Sequence, residues 1–282
     1  MISVLVYEHL TATSAGGGPV PLPASLLREG RAMLAAVTAD LAALPGVTVH
    51  IAAVETLFQQ AAAADFTLVI APETFGVLYV LAARVEQAGG KLLGPSPAAI
   101  RMTADKLHLS AWWTRRGVPT PKTWVYAGQP AQVPIVVKPR DGCGSQATKL
   151  LQPGEIFSEA WPGPLIAQEY ADGLAASVSF VGSRPLPPCE QILSADGRFA
   201  YLGSRAVTDP ALKERAVAIA TKAIEGIAGL HGYVGVDVVL GNDGRDWAIE
   251  INPRLTTSYV DLREMAGENL MQMALASRTR PA

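Results

Sequence analysis

The stretch GVDVVLGNDGRDWAIEINPRLTTS, residues 235–258, contains two apolar runs separated by a turn signal. Asn-Asp-Gly at 242–244 is typical of a hairpin. With the last two of these residues at the centre of the turn, Asp237 lies opposite Glu250. Since side chains alternate between the faces of a strand, Asn252 shares the face of Glu250. The sequence therefore predicts a hairpin with one apolar face and one face carrying two carboxylates and an amide.

Facing carboxylates on a half-buried sheet repel each other. At about 4 Å and an effective dielectric constant of about 20, the repulsion is roughly 4 kcal/mol. A shared proton, a basic partner or a divalent cation must offset it. Carboxylate and amide oxygens are ligands that suit Mg²⁺. The alternative is a surface ion pair with Arg245 or Arg254, and the hairpin alone does not decide between the two.

The composition indicates a globular chain that is long enough for two or three subdomains. It has 282 residues, 49% hydrophobic and 17% charged, with a net charge of −2. No Lys/Arg run suggests nucleic acid as a partner, and no apolar run is long enough to span a membrane. We interpret MISVLVYEHL as a first strand and not as a signal peptide. Cys143 and Cys189 form neither a disulfide framework nor a metal spacing, so we expect a soluble cytoplasmic protein.

The first third of the chain alternates predicted strands and helices, which favours an open parallel α/β sheet ending near residue 97. A glycine-containing loop is predicted at 9–23, with glycines at 16–18. The predicted strands are 2–7, 47–51, 66–71 and 92–93, and the predicted helices are 25–44 and 75–88.

The rest of the chain has shorter strands and two predicted helices, which is an α+β pattern. The helices are predicted at 103–117 and 210–230. The strands are predicted at 123–126, 135–138, 147–150, 165–168, 177–181, 235–240 and 247–251.

The segment IVVKPRDGCGS, residues 135–145, could bind an anion. An apolar strand delivers Lys138, and Gly142, Gly144 and Ser145 follow in a loop. Small residues let backbone N–H groups approach phosphate, and lysine adds a point charge. The spacing matches neither a Walker loop nor a dinucleotide-binding fingerprint, so an ordinary turn is the alternative. We interpret Cys143 as a loop residue, because no histidine lies near it in sequence.

Taken in order, these motifs resemble the ATP-grasp superfamily of carboxylate–amine ligases, over residues 93–263. The resemblance implies an α/β (α+β) fold in three parts: an N-terminal open parallel domain at 1–97, a central lid at 98–175 and a C-terminal antiparallel sheet domain with helices at 176–282. It also implies ATP with Mg²⁺ or Mn²⁺. One departure is Gly235, where D-alanine–D-alanine ligases carry an arginine, which argues against that branch.

The resemblance also implies roles for individual residues. Arg254 in EINPR becomes the catalytic clamp on phosphate or acyl-phosphate, and Ala175 stands where many relatives have a ribose-binding glutamate. The implied metal ligands are Asp237, Glu250 and Asn252. The implied ATP-binding residues are Lys106, Lys138, Gly142, Gly144, Ser145, the hinge residues Gln168, Glu169 and Ala171, and Asp172 at the ribose.

A narrower resemblance is to the tyramine–glutamate ligases of methanofuran biosynthesis and their relatives in methylotrophic bacteria. It is carried by EHLTATSAGGG and EGRAML near the start, GLAASVSF after the hinge, and EINPRLTTSYVDLRE near the end. It implies that glutamate becomes an acyl-phosphate and that an amine such as tyramine or tyrosine then attacks it. The implied substrate residues are Glu8, Thr256, Thr257 and Ser258, with Arg254.

Several alternatives remain at this point. Glu8 is also explained as an ordinary strand-end carboxylate, and Arg205 is better explained by a surface ion pair than by phosphate. The expected partners are small-molecule substrates, and a homodimer remains open. A non-catalytic ATP-binding regulator, a ligase for another amino acid and a carboxylase with a separate biotin carrier are the competing functions.

Overall fold

The computed structural model describes residues 1–14 and 24–279, so the predicted glycines at 16–18 lie outside the described residues. The described strands form three sheets. The strands are β1 (Ile2–Glu8), β2 (Val47–Ile51), β3 (Phe66–Ile70), β4 (Thr123–Val125), β5 (Ile135–Pro139), β6 (Lys149–Leu151), β7 (Leu165–Glu169), β8 (Leu174–Val181), β9 (Arg184–Pro185), β10 (Cys189–Leu193), β11 (Tyr201–Ala206), β12 (Tyr233–Leu240) and β13 (Asp246–Asn252). The helices are α1 (His9–Ser14), α2 (Ala24–Ala42), α3 (Leu57–Ala63), α4 (Val77–Gln87), α5 (Pro97–Ala104), α6 (Lys106–Arg115), α7 (Pro210–Ile224), α8 (Tyr259–Met265) and α9 (Leu270–Thr279).

The first sheet is parallel, in the order β2-β1-β3, as the alternating pattern predicts. Both faces of β1 are covered: Val4 and Val6 pack in one core and Leu5 and Tyr7 in another. The predicted strand at 92–93 is reduced to an isolated bridge between Leu92 and Thr67. Strand β1, in the middle of this sheet, is covered on both faces, and its last residue, Glu8, is buried.

The prediction of a loop at 9–23 was wrong at its beginning, where α1 forms. The carboxylate of Glu8 accepts hydrogen bonds from the backbone N–H groups of Leu10 at 3.1 Å and Thr11 at 2.7 Å. These are two of the donors that the first turn of a helix leaves unpaired, so Glu8 acts as an N-cap. The glycines and prolines between residues 16 and 23 led to the prediction of a loop over the whole segment, including residues 9–14.

Helix α2 ties the first sheet to the C-terminal helices. Its Asp40 accepts a hydrogen bond of 2.5 Å from the hydroxyl of Tyr259 and pairs with Arg263, both on α8. Val37 and Leu262 are buried in the same core. Since α8 begins directly after the stretch that opened the sequence analysis, these contacts fix α2 beside that stretch.

The second sheet is antiparallel, in the order β4-β7-β5-β6. Ile135 and Val137 point into a small core, whereas Val136 and Lys138 line a cavity on the other face. The alternation of a strand thus places the lysine opposite the core. The apolar residues of β5 are what hold that lysine in position.

The third sheet is antiparallel, in the order β11-β10-β8-β12-β13, with β9 paired to β8. Val236, Val238 and Ile251 are buried against α6 and α7. In that core the indole N–H of Trp113 donates to the carbonyl of Ala223 at 2.8 Å. The opposite face of β12 and β13 carries the polar residues of the hairpin. The ribbon of β9, β10 and β11 was missed, because its strands are short and partly exposed.

The hairpin pairs Asp237 with Glu250, as predicted. The predicted turn was nevertheless wrong. Gly244 N–H donates to the carbonyl of Gly241, which puts residues 242–243 at the centre and Gly244 at a φ of +81°. This shifts the register by one, and a bulge opposite Asp237 shifts it back. The turn and the bulge shift the register in opposite directions, so Asp237 still faces Glu250.

The predicted helices at 103–117 and 210–230 were also imprecise. The first is two helices, because Asp105 adopts an extended conformation, caps α6 by accepting from the N–H of His108, and pairs with Arg140. The break makes Lys106 the first residue of α6. The second predicted helix corresponds to α7, which ends at Ile224 and not at residue 230. Gly226 then adopts a φ of +78°.

None of the helices described at 1–14 and 24–279 combines the length and apolarity needed to span a membrane. Strand β8 already belongs to the third sheet at Leu174. The predicted domain boundaries at 97 and 175 stay predictions.

Candidate active site

A cavity of about 730 Å³ lies between the three sheets. All of the predicted site residues line it except Asp172, which is exposed. Residues more than 200 positions apart in sequence, such as Glu8 and Glu250, therefore share one open space. The cavity is large enough for a drug-sized ligand.

Asp237 projects into this cavity from β12. Asn252 donates its amide N–H to one Asp237 carboxylate oxygen at 3.0 Å, and Gln191 donates to the other at 3.0 Å. Burial, together with the facing charge of Glu250, raises the pKa of Asp237 to about 7. Its negative charge is thus not balanced by a basic partner. Sequence reasoning missed Gln191, which lies on the unpredicted ribbon.

Glu250 is held differently, although it faces Asp237. The ammonium nitrogen of Lys106 lies 3.4 Å from a carboxylate oxygen of Glu250 and donates to the carbonyl of Gly142 at 2.5 Å. Burial alone would raise the pKa of Glu250, but the charges of Lys106 and Lys138 hold it below its usual value. The two carboxylates therefore have pKa values shifted in opposite directions.

The two lysines also differ from each other. Burial alone would lower the pKa of Lys106, but the carboxylates of Glu250 and Glu73 raise it above its usual value. For Lys138, burial prevails over the charge of Glu250, and the pKa falls to about 8. Lys138 is therefore the cation with the least compensation in the cavity, and an anionic ligand would supply what it lacks.

The alternative of a surface ion pair with Arg245 or Arg254 is not what the structure contains. Arg245 pairs with Asp243 in the turn. Arg254 is buried, and its Nε lies 3.0 Å from the carboxylate of Glu73. Burial alone would lower the pKa of Arg254, but the charge of Glu73 raises it. The arginine is thus held in one orientation at the cavity wall.

Glu73 was missed by sequence reasoning, although a signal was present. It lies in PETF just after β3, and polar residues that follow a parallel strand mark the edge where ligands bind. Only the tertiary structure brings it to Arg254, which lies 181 residues away.

The donor set on the hairpin fits a divalent cation. Asp237 and Glu250 supply carboxylate oxygens, and Asn252 supplies an amide oxygen, which together suit Mg²⁺. The raised pKa of Asp237 indicates negative charge that a cation would balance. Across residues 1–14 and 24–279, no three His, Cys, Asp or Glu side chains converge as a metal cage. A cation here would therefore share its remaining positions with water or with ligand oxygens.

The glycine loop after β5 is tightly folded. A Cβ on Gly142 would come within 2.7 Å of Pro139, and Gly144 has a φ of +63°. The hydroxyl of Ser145 donates to the carbonyl of Phe199 at 2.7 Å, so this side chain joins the loop to the ribbon. Cys143 also lines the cavity, and burial raises the pKa of its thiol, which disfavours a nucleophilic role.

The hinge after β7 forms the far wall of the cavity. Gln168 donates to Thr123 at 3.0 Å, and the N–H groups of Glu169 and Tyr170 are bonded to other loops, so their backbone is firmly placed. Tyr170 stacks on Phe199 with ring centroids 6.3 Å apart, and both rings line the cavity. These aromatic faces could contact a base. The assignments of Ala171 to adenine and of Asp172 to ribose stay predictions.

The substrate residues predicted after Arg254 form a hydroxyl network. Thr256 and Ser258 lie 2.8 Å apart, oxygen to oxygen, and Thr256 lies 3.2 Å from the hydroxyl of Tyr233. Thr257 instead donates to Glu29 on α2 at 3.0 Å. Glu29 begins the EGRAML segment of the narrower resemblance, but it was not given a role, because one glutamate on an amphipathic helix does not indicate a function.

Arg205 lies outside the cavity and is 68% exposed. It forms a two-pronged pair with Glu190 at 2.8 Å. The ion pair favoured by the sequence analysis is confirmed.

Comparisons with known proteins agree with this arrangement. The model of the ATP-grasp domain matches residues 103–258, and that of the pre ATP-grasp 3 domain matches residues 30–100. The chain is 34% identical to the tyramine–L-glutamate ligase of Methanocaldococcus jannaschii over 71% of its length, and 33% identical to that of Methanocaldococcus fervens over 71%. It spans 58% and 62% of the lengths of these curated relatives.

Solved structures share the whole architecture. An ATP-grasp superfamily protein from Archaeoglobus fulgidus superimposes with a TM-score of 0.79 and 26% identity, over 98% of this chain and 89% of that one. D-alanine–D-alanine ligase from Bacillus anthracis, solved with ATP, superimposes with a TM-score of 0.72 and 17% identity, over 98% and 97%, which supports the fold alone. The matched domain models and the identity to these relatives place this chain in the ATP-grasp family.

Proposed function

We propose that this protein is an ATP-dependent ligase that joins a carboxylate to an amine. The single observation that carries the proposal is the half-buried pair of Asp237 and Glu250, facing each other in the same cavity as three cationic side chains, Lys106, Lys138 and Arg254. This combination suits a nucleotide polyphosphate with a divalent cation better than it suits a neutral ligand.

In the proposed reaction, the γ-phosphoryl group of ATP moves to a substrate carboxylate oxygen, which leaves ADP and an acyl-phosphate. The neutral amine nitrogen then bonds to the acyl carbon, the bond to the phosphate oxygen breaks, and inorganic phosphate departs with the proton that the nitrogen loses. Lys106 and Lys138 would neutralise ATP phosphates from two sides. Arg254, fixed by Glu73, would stabilise charge on the transferring group.

Asp237, Glu250 and Asn252 would hold Mg²⁺. When bound, the ion would supply positive charge that offsets the negative charge of the phosphate groups. The protein side would respond through Asp237, because a carboxyl group with a pKa of about 7 releases its proton when a cation binds.

For the substrates, we propose glutamate as the acid and an amine such as tyramine or tyrosine as the acceptor. Two relatives named tyramine–L-glutamate ligase support this choice. The resemblance of the EINPRLTTSYVDLRE segment extends it to a methanofuran-type C1-carrier pathway. Since the chain spans less than two thirds of either relative, the substrates are argued from the 199 residues that match each of them.

The test is phosphate release with Mg²⁺ and ATP, first with glutamate alone, then with tyramine, tyrosine and other amines, followed by mass spectrometry. A γ-glutamyl amide formed only when both partners are present would support the proposal. Hydroxylamine, a small acceptor, adds a second readout, because it converts any acyl-phosphate to a hydroxamate. If ATP binds and no acid yields a hydroxamate, the ligase proposal fails and a non-catalytic ATP-binding protein is favoured. If another acid yields one, only the glutamate assignment fails.

A further inference from the structure

The cavity has two ends of opposite charge. We call the part lined by Lys106, Lys138, Asp237, Glu250 and Arg254 the phosphate end. The part lined by Glu8, Glu29 and Thr257 is the N-terminal end, because two of its residues come from β1 and α2. The functions proposed so far use the phosphate end and leave Glu29 without a role.

Glu29 faces the cavity from the middle of the first half of α2. Its carboxylate accepts a hydrogen bond from the hydroxyl of Thr257 at 3.0 Å. Thr257 lies three residues after Arg254 in the same segment. One short stretch of chain therefore connects the clamp of the phosphate end to the carboxylate of the N-terminal end.

Glu8 lies beside Glu29. A Cβ placed on Gly30 would come within 2.7 Å of the Glu8 carboxylate, so that carboxylate packs directly on the backbone next to Glu29. Glu8 is 2% exposed, and it accepts from two backbone N–H groups of α1. Position 30 therefore requires glycine. The close approach that glycine permits brings the carboxylates of Glu8 and Glu29 to one wall of the cavity.

The described part of the chain contains no ion-pair partner for these carboxylates. Among residues 1–14 and 24–279, neither Glu8 nor Glu29 forms an ion pair. Arg28 and Arg31, the nearest arginines on α2, are exposed and do not line the cavity. The described cationic residues that line the cavity all belong to the phosphate end. The N-terminal end thus has an excess of negative charge.

The walls around Glu29 are apolar. Leu26 lies one turn before it on α2 and Met33 one turn after it, and both line the cavity. Leu10 and Ile70 line the cavity from α1 and β3. Leu26 also reaches the glycine loop, since its Cδ2 is 3.1 Å from a Cβ placed on Gly144. The apolar wall therefore continues up to the loop assigned to phosphate.

We propose that Glu29, with Glu8 beside it, binds the ammonium group of the acceptor substrate, and that Leu26 and Met33 hold an apolar or aromatic body attached to that ammonium. This inference rests on the proposed ligase function and adds the acceptor class to it. It also accounts for the segment from Arg254 to Thr257 running between both ends: the ammonium would be held next to the acyl group, and its nitrogen would attack after giving one proton to water.

The same geometry separates two kinds of acceptor. An amino acid such as tyrosine would bring a carboxylate to a wall that already has two and to which the described residues contribute no cation. An arylalkylamine such as tyramine brings only the ammonium. The N-terminal end therefore favours an amine without a carboxyl group, because an unpaired like charge would be repelled.

Binding gives the first test. Tyramine is titrated into the protein with glutamate, Mg²⁺ and a non-hydrolysable ATP analogue, for the wild type, Glu29→Gln and the matched control Glu86→Gln. Gln keeps the hydrogen bond with Thr257 and removes only the charge, while Glu86 is exposed on α4 and does not line the cavity. We expect the dissociation constant to rise about tenfold in Glu29→Gln and to stay unchanged in the control. Equal affinities in wild type and Glu29→Gln, or no binding of tyramine to the wild type, would overturn the proposal.

A second comparison needs no variant. Phenethylamine and its uncharged counterpart 2-phenylethanol are titrated into the wild-type protein under the same conditions. Tighter binding of the amine supports an ammonium site, and equal binding overturns it.

Turnover then separates failure of this proposal from failure of the ligase. Hydroxamate formation from glutamate reports the acyl-phosphate and uses an acceptor too small to need the N-terminal end. We expect Glu29→Gln to retain this reaction and to have a raised KM for tyramine. A raised KM for glutamate with an unchanged KM for tyramine would assign Glu29 to the donor and overturn the proposal. Absence of hydroxamate from the wild type with every acid tested would reject the ligase, and the binding comparison would still decide on the ammonium site.

Discussion

The two ends of the cavity both hold buried carboxylates, yet they stabilise them in opposite ways. At the phosphate end, Asp237 and Glu250 face each other, and the pKa of Asp237 rises to about 7. At the N-terminal end, Glu8 receives two backbone N–H groups and Glu29 a hydroxyl. The first arrangement is strained without a cation, whereas the second is satisfied by the fold itself. Removing charge should therefore have different consequences at the two ends.

The largest expected effect is on turnover at the phosphate end. Glu250→Gln should lower the rate of product formation by about a hundredfold or more, because the cation loses a charged ligand. Rates are compared with those of Glu214→Gln, an exposed position on α7 outside the cavity. Circular dichroism and the unfolding temperature check that the variant is folded. Normal turnover of Glu250→Gln would show that the metal assignment is wrong.

The next effect is on nucleotide affinity and its dependence on pH. Lys138 has a pKa of about 8 because of burial, so it is charged below that pH and neutral above it. ATP affinity in the absence of metal should therefore fall as pH rises from about 7.5 to about 9.5, by up to about tenfold. Lys138→Ala should bind ATP more weakly and lack this dependence, whereas the exposed Lys222→Ala should behave as wild type. A dependence that persists in Lys138→Ala would assign it to another group.

The pH dependence of folding stability tests the strain at the phosphate end directly. Because native Asp237 holds its proton more tightly than the unfolded chain does, stability of the metal-free protein should fall as pH rises from about 4 through about 7. Asp237→Asn lacks this loss and should be more stable than wild type by about 2 kcal/mol at about pH 8, with a smaller difference at about pH 5. Thermal unfolding of both proteins at the two pH values measures this. A variant less stable than wild type at the higher pH would contradict the strain at the phosphate end.

The matching substitution at the N-terminal end should have the opposite sign and the smallest size. Glu8→Gln keeps one acceptor oxygen for the first turn of α1 and loses the other. We expect it to destabilise the protein by about 1 kcal/mol, the usual effect of a weakened helix cap. Urea unfolding compared with wild type provides the measurement. Stabilisation by Glu8→Gln would mean that its charge is strained as well, and the contrast between the ends would disappear.

Much of the site was predictable because it depends on local rules. Strand alternation and the turn signal paired Asp237 with Glu250 and placed Asn252 on the same face. An apolar strand followed by glycines identified Lys138 and its loop. These features need only the neighbours in sequence, so a single chain is enough to reveal them.

Other parts of the site are pairings that neither residue's position in the sequence reveals. Arg254 meets Glu73, and Thr257 meets Glu29. Asp105, at the break where α6 starts, pairs with Arg140, which directly follows β5 in the second sheet. Such contacts form only after the sheets have packed, and sequence patterns with a period of two or 3.6 residues cannot contain them.

By itself, the sequence determined which strands and helices form around the site and which side chains they present to one face. Hydrophobic periodicity decides this, because each element must bury its apolar face. The tertiary structure alone decided the charge balance of the cavity. Burial and the distances between side chains set the pKa values of Asp237 and Lys138, and the packing of α2 against α8 brings Glu29 to Thr257. Electrostatic interactions depend on separation in space, so residues distant in sequence determine them together.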